Sequence, residues 1–245
     1  LICFISGVLP LGVVSISLMM LMYLTGACDF NTAISGFAAG PVLFMLCAAA
    51  MSDAVSASPL SNRILHFMLS RFGKSVKSIL LALMFATAFI SAFISNVPTC
   101  AMFVTIGLSM LKLYDDENER NQTGKAFMIA IPVSAMIGGI MTPVGSSPNL
   151  VAIETLKNIT GYNITFVEWC CYGTPIALVL IPIAWFVISK VFPPYELDKD
   201  KFKAFIESTK VAHAPDKKEI ELIVIFLGMI ILWIASSWIK SINLF

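Results

Sequence analysis

Gly138-Gly139-Ile140-Met141-Thr142-Pro143-Val144-Gly145-Ser146-Ser147-Pro148-Asn149 is the stretch on which the reading of this chain turns. It lies in an uncharged block, Ala126 to Ile153, that would reach about 42 Å as one helix, against a hydrocarbon core of roughly 30 Å. Glycines, prolines and a run of hydroxyl and amide side chains interrupt its second half. Gly and Pro alone kink many membrane helices against a close neighbour. The added polar residues point instead to a discontinuous transmembrane helix, since non-helical backbone is tolerated at membrane depth only where protein or a water-filled cavity satisfies it.

A second uncharged block, Ser78 to Leu111, carries a related feature at Ser95-Asn96-Val97-Pro98. Of the 16 Lys and Arg, four fall in 53–77, three in 112–125 and seven in 190–221, which marks these segments as cytoplasmic. Both ends of the block then lie on one side of the membrane, so it must be a hairpin. Its arms would measure about 25 and 20 Å, short of the core, and the tip is expected to stop inside the membrane. Two tilted spans with a turn at the far surface are the competing reading.

The rest of the chain agrees with a membrane path. It is 58% hydrophobic and 13% charged, with a mean hydropathy of +0.88. That composition excludes a soluble enzyme, and a net charge of +1 leaves no basic face for nucleic acid. Further uncharged blocks run from Leu1 to Cys28, Phe30 to Ser52, Trp169 to Ser189 and Leu222 to Ile239. The chain opens and closes in or beside such blocks, so it is expected to be a fragment of a longer protein, and no basic stretch marks a cleaved signal. Asn62 to Arg71 is expected to lie along the cytoplasmic interface, with His66 a surface residue, and 190–221 to be a solvated loop with a short helix near Lys201 to Lys210. The six cysteines, Cys3, Cys28, Cys47, Cys100, Cys170 and Cys171, have no metal spacing and read as packing residues.

Chemistry is expected at the two interruptions. Half-helices beginning near Pro98 and Pro148, with Ser or Asn able to cap them, would aim N–H groups and positive dipole ends at one place, which suits an anion. Ser91, Ser95, Asn96 and Thr142 side-chain oxygens and carbonyls near Gly145 are hard neutral ligands for an alkali cation such as sodium. No Asp, Glu, Lys, Arg or His falls inside any uncharged block, so neither a proton relay nor the base or metal of an intramembrane enzyme can be assembled there. A purely structural helical module is the remaining rival, and it gives no reason for two such breaks.

At these residues the sequence resembles the divalent anion:sodium symporter family of dicarboxylate and citrate carriers. The likeness rests on Ser91-Ala92-Phe93-Ile94-Ser95-Asn96 and on the 138–149 stretch. It is supported by Leu9-Pro10-Leu11-Gly12, Ile164-Thr165-Phe166-Val167-Glu168-Trp169 and Tyr172-Gly173-Thr174-Pro175, in the family's order. The resemblance implies an all-α polytopic membrane protein. This chain would be the first half of an inverted-repeat secondary transporter, with a re-entrant helical hairpin and a discontinuous helix. It implies scaffold helices over 1–57, an interfacial helix over 58–76 and half of a transport domain over 77–189. A cytoplasmic loop over 190–221 and the opening helix of a second repeat over 222–245 would follow.

By the same resemblance, Ser91, Ser95, Asn96 and Gly145 would bind sodium. Ser95, Asn96, Ser146 and Asn149 would meet the substrate, and Pro98, Gly138, Gly139, Thr142, Pro143 and Pro148 would shape the breaks. Sodium would be a co-transported ligand rather than a cofactor. The full-length protein would be a homodimer in the plasma or inner membrane. Val97 departs from the family, standing where a threonine is usual. Sodium-coupled transport of succinate, malate or fumarate is the function implied. Anion exchange, or a sulfate, citrate or arsenite permease, is the alternative.

Overall fold

The computed structural model describes residues 6–38, 40–72, 75–210 and 214–237; Cys3 and the end of the last expected span, from residue 238, lie outside them. Among the described residues every regular element is helical. The chain divides into two compact units, Leu1–Leu46 and Cys47–Phe245. In the first, α1 (Leu11–Leu24) follows Pro10, and α2 (Phe30–Ser35) is capped by Asp29, whose carboxylate accepts from the Thr32 N–H at 3.2 Å. A single 3-10 turn, Gly36–Ala38, separates α2 from α3 (Gly40–Ser56), which runs on into the second unit. The block Phe30 to Ser52 is therefore two helices rather than one span. Gly36 and Gly40 weaken helical backbone, and Pro41 has no N–H to bond back across the gap.

The second unit continues with α4 (Leu60–Phe72), α5 (Val76–Ser91), α6 (Asn96–Leu111), α7 (Glu117–Gly139) and α8 (Ser147–Thr160). It closes with α9 (Phe166–Val191), α10 (Lys199–Ser208) and α11 (Lys217–Ser236). α5 and α6 form a helical hairpin through residues 92–95, and both pack chiefly on α7. Each arm has 16 residues, so about 24 Å of helix.

Small residues make this packing close. Ala126, Ala130, Ser134 and Gly138 recur every fourth residue along α7 and are all buried, forming a stripe on which backbones can approach. Phe103 of α6, Phe127 and Ile131 of α7 and Leu80, Leu83 and Met84 of α5 fill the space around it. α7 starts at Glu117, nine residues before the uncharged block, because Asp116 caps it and Glu117 and Glu119 favour its positive end.

Among the described residues, one helix is long and apolar enough to cross a bilayer by itself, α9 with 26 residues. Its Gly173, Ala177, Ile181 and Ile188 are buried, while Tyr172, Ile176, Val179, Ile183 and Phe186 form an exposed apolar stripe at helical spacing. Such a stripe is stable against lipid or another helix, not against water.

The segment 193–210 differs from the solvated cytoplasmic loop expected over 190–221. Residues 193–196 form a strap across the feet of the helices. Tyr114 Oη donates to the Tyr195 carbonyl at 2.6 Å, and the Tyr195 N–H donates to Thr123 Oγ1 at 3.1 Å. The Val76 N–H, at the start of α5, donates to Glu196 at 3.1 Å. Further on, Lys201 pairs with Asp115 at 2.6 Å, and Phe205 of α10 is buried. His66, expected at the surface, is half-buried, and its Nδ1 donates to the Ile206 carbonyl at 3.1 Å. Near-cancelling charge in this segment concealed aromatic and aliphatic residues spaced to dock. α4 itself buries Leu65 and Leu69, and its Arg63 meets the buried Glu219 of α11 through two nitrogens, at 2.5 and 3.1 Å.

Candidate functional site

The hairpin tip and the break in the long helix meet. α7 ends at Gly139 and α8 begins at Ser147, so residues 140–146 are the interruption that the glycines and prolines predicted. Thr142 fastens it to the hairpin: its hydroxyl donates to the Ala92 carbonyl and accepts from the Gly145 N–H at 3.1 Å. A Cβ on Gly145 would come within 2.7 Å of the Gly139 carbonyl oxygen and 2.9 Å of that of Ser91, so only glycine fits there. Gly139 likewise makes room for Asn96, whose Oδ1 would lie 2.5 Å from an added Cβ.

Asn96 lies at the centre of the contact. Its inward amide atom is within 2.7 Å of Ser91 Oγ, 3.1 Å of the Ala135 carbonyl and 3.2 Å of the Gly145 carbonyl. Ser91 Oγ also donates to the Ala135 carbonyl at 2.8 Å. With the amide nitrogen turned inward, the three oxygens accept hydrogen bonds from it and the network is satisfied. With the oxygen turned inward, four oxygens converge around the single Ser91 hydroxyl hydrogen, and a cation among them would relieve the remaining repulsion. Ser91 is fully buried, so this nest is shielded from water.

Both half-helices start without the side-chain caps expected of Ser or Asn. Ser95 occupies the capping position of α6 and Ser146 that of α8, and neither side chain accepts from its helix. A cap reaches the N–H of the second or third helical residue, and proline removes one of these in each helix: Pro98 is third in α6 and Pro148 second in α8. Both positive helix ends thus lack a side-chain cap.

The structure brings together Ser91, Asn96, Gly139, Thr142 and Gly145. Ser95 is exposed at the tip and Ser146 half-buried beside Gly145. Asn149 is buried and faces the interruption: its Nδ2 donates to the Gly139 carbonyl at 2.7 Å and to the Thr142 carbonyl at 2.9 Å. Gly138 sits under α5, and Pro143 is buried. Sequence reasoning missed the Ala135 carbonyl, which carries no side-chain signal. It also missed Trp169, whose indole N–H reaches the Ile140 carbonyl at 2.9 Å. Among the described residues, no group of three or more His, Cys, Asp or Glu could hold a metal ion.

Comparison with known proteins agrees with the motifs. The family model described as citrate transporter matches residues 1–245. A sodium-dependent dicarboxylate transporter, SdcS, of Staphylococcus aureus (strain USA300) is 32% identical over 139 residues, which cover 54% of this chain and 27% of that protein. An uncharacterized transporter of Haemophilus influenzae is 27% identical over 189 residues, 77% of this chain and 40% of that protein. The chain thus spans between about a quarter and two fifths of the length of these curated relatives. The match along all of its length, with its helical architecture, makes it an integral membrane protein of a transporter family. The chain belongs to the citrate transporter family.

Proposed function

We propose that this chain forms the first half of a sodium-coupled carrier for a small divalent anion, a dicarboxylate such as succinate, malate or fumarate. The observation that carries the reading is the position of Asn96, between an oxygen nest and two uncapped helix ends. Sodium binds among Ser91 Oγ, the Asn96 amide oxygen and the Ala135 and Gly145 carbonyls, with Ser95 contributing from the tip. The anion binds at the helix starts, near Ser95, Asn96, Ser146 and the first turn of α8 that Asn149 supports. The cation offsets the charge of a dianion in a site of low dielectric, so each ligand favours the other.

In this reading α5 and α6 are a re-entrant hairpin and α7–α8 a discontinuous span, with an inverted second repeat completing the pocket in a homodimer of the plasma or inner membrane. The likeness to the Staphylococcus aureus sodium-dependent dicarboxylate transporter supports the substrate class. The description of the family favours citrate as a second reading.

The test uses the complete gene product reconstituted in liposomes, with uptake of labelled succinate and of citrate measured with and without an inward sodium gradient. Sodium-dependent uptake that Asn96→Ala abolishes supports the reading. Exchange of internal for external succinate without sodium dependence would replace symport by antiport, and absence of both substrates' movement from folded protein would overturn it.

A further inference from the structure

The motif Trp169 to Thr174 has no place in either ligand shell, yet it touches the interruption directly. Trp169 Nε1 donates to the Ile140 carbonyl at 2.9 Å, and Thr174 Oγ1 donates to the Met141 carbonyl at 3.4 Å. Between them on the same face, Gly173 lets the Ile140 carbonyl rest against the helix, where a Cβ would overlap its oxygen. From the other side, Asn149 holds the carbonyls of Gly139 and Thr142. Four successive carbonyls, 139 to 142, therefore each accept from a donor supplied by α8 or α9. The Gly145 carbonyl faces Asn96 instead.

These bonds do two things. Carbonyls at the end of α7 carry the negative end of its dipole and would otherwise compete for a cation or for water. Fixing them also fixes the path of 140–146, and hence where the Gly145 carbonyl sits relative to Asn96 and Ser91.

We propose that Trp169, Gly173, Thr174 and Asn149 are positioning residues for the cation: they hold carbonyls 139–142 so that the Gly145 carbonyl is presented to the sodium site. The inference rests on the proposed sodium-coupled reading and adds to it three residues of α9 outside both ligand shells, with a positioning duty for Asn149 beside its expected place at the substrate. Loss of the two α9 hydrogen bonds is expected to weaken cation binding roughly tenfold, equivalent to about 1.4 kcal/mol.

The experiment measures half-saturation for sodium and, separately, for the anion at saturating sodium, in the complete protein in liposomes. Trp169→Phe, Thr174→Val and their combination remove the donors while keeping shape; Thr174→Ser restores the hydroxyl. Expected is a half-saturation for sodium raised about tenfold in the double variant, anion half-saturation at saturating sodium within about twofold, and recovery in Thr174→Ser. Should Trp169→Phe fail to reach the membrane, Thr174→Val alone carries the test, with about a threefold shift.

Unchanged sodium half-saturation would overturn the inference, as would parallel loss of sodium affinity, anion affinity and melting temperature, the pattern of a merely structural role. Asn96→Ala run alongside separates the two levels. If it abolishes sodium dependence while the α9 variants do not, this inference alone fails; if it leaves sodium dependence intact, the reading of the site fails with it.

Discussion

Gly138 of α7 rests on the backbone of Ala88 of α5, so closely that a Cβ on Gly138 would overlap the Ala88 carbonyl oxygen, α-carbon and carbonyl carbon. The obstacle is main chain, which cannot turn aside as a flexible side chain does. Gly138→Ala therefore forces the hairpin off α7. Overpacking of this kind costs about 1–3 kcal/mol, and backbone contact places it at the upper end. A fall of several degrees in melting temperature is expected in detergent, together with loss of uptake.

Thr142 is the hydroxyl link between interruption and hairpin. Thr142→Val keeps the shape and leaves the Ala92 carbonyl and the Gly145 N–H without this partner, at a cost of about 1–3 kcal/mol. Thr142→Ser restores the hydroxyl and should recover most of the loss. Thermal unfolding of the three proteins side by side checks this.

Tyr114 is buried under the strap, and burial pushes its phenol up to about 12, the neighbouring Glu196 and Glu119 charges adding to the effect. The folded protein thus holds this proton more tightly than the unfolded chain does, whose phenol titrates near the ordinary value of about 10. Its contribution is complete below pH 10 and is lost as pH rises from about 10 through about 12. Across that window the melting temperature should fall more steeply in the unmodified protein than in Tyr114→Phe.

Val97 stands at the hairpin tip between Asn96 and Pro98, and is 76% exposed. An aliphatic residue there offers methyl groups to whatever binds at the helix start. Val97→Thr should change stability by less than about 0.5 kcal/mol, as surface substitutions do. The added hydroxyl should raise the preference for malate over succinate by about three- to tenfold, read from competition for uptake.

The interruption at 140–146 was legible in sequence because glycine, proline and polar residues cannot be hidden in an apolar helix, and the helical hairpin because Ser95-Asn96-Val97-Pro98 breaks a block flanked at both ends by basic segments. That Ser91, Asn96 and Gly145 come together was legible through their motifs. The Ala135 carbonyl was not, since any residue supplies one. Nor were the roles of Trp169 and Thr174, because their partners are carbonyls 29 and 33 residues away. Charge counting concealed the docking of 193–210: alternating signs looked like solvated chain while the Tyr195 main chain and the Phe205 and Leu197 side chains supplied the contacts. The break between α2 and α3 was overlooked because glycines in an apolar run leave its hydropathy nearly unchanged.

If the nest binds sodium as proposed, the stripe of small residues along α7 has a bearing on which ion it takes. The Ala135 oxygen rides on that helix, the Gly145 oxygen on a loop with no room for a Cβ, and Ser91 on the arm that Gly138 contacts through main chain. The two main-chain oxygens, of Ala135 and Gly145, cannot be rearranged by a change of rotamer, and close-packed interiors yield little to pressure. An ion of larger radius, potassium rather than sodium, would have to pry α5 from α7 at Ala88, where there is no slack. Under the proposed reading, discrimination by ionic radius would be settled some distance from the oxygens, in the alanines, serine and glycine that determine how near two helices can come.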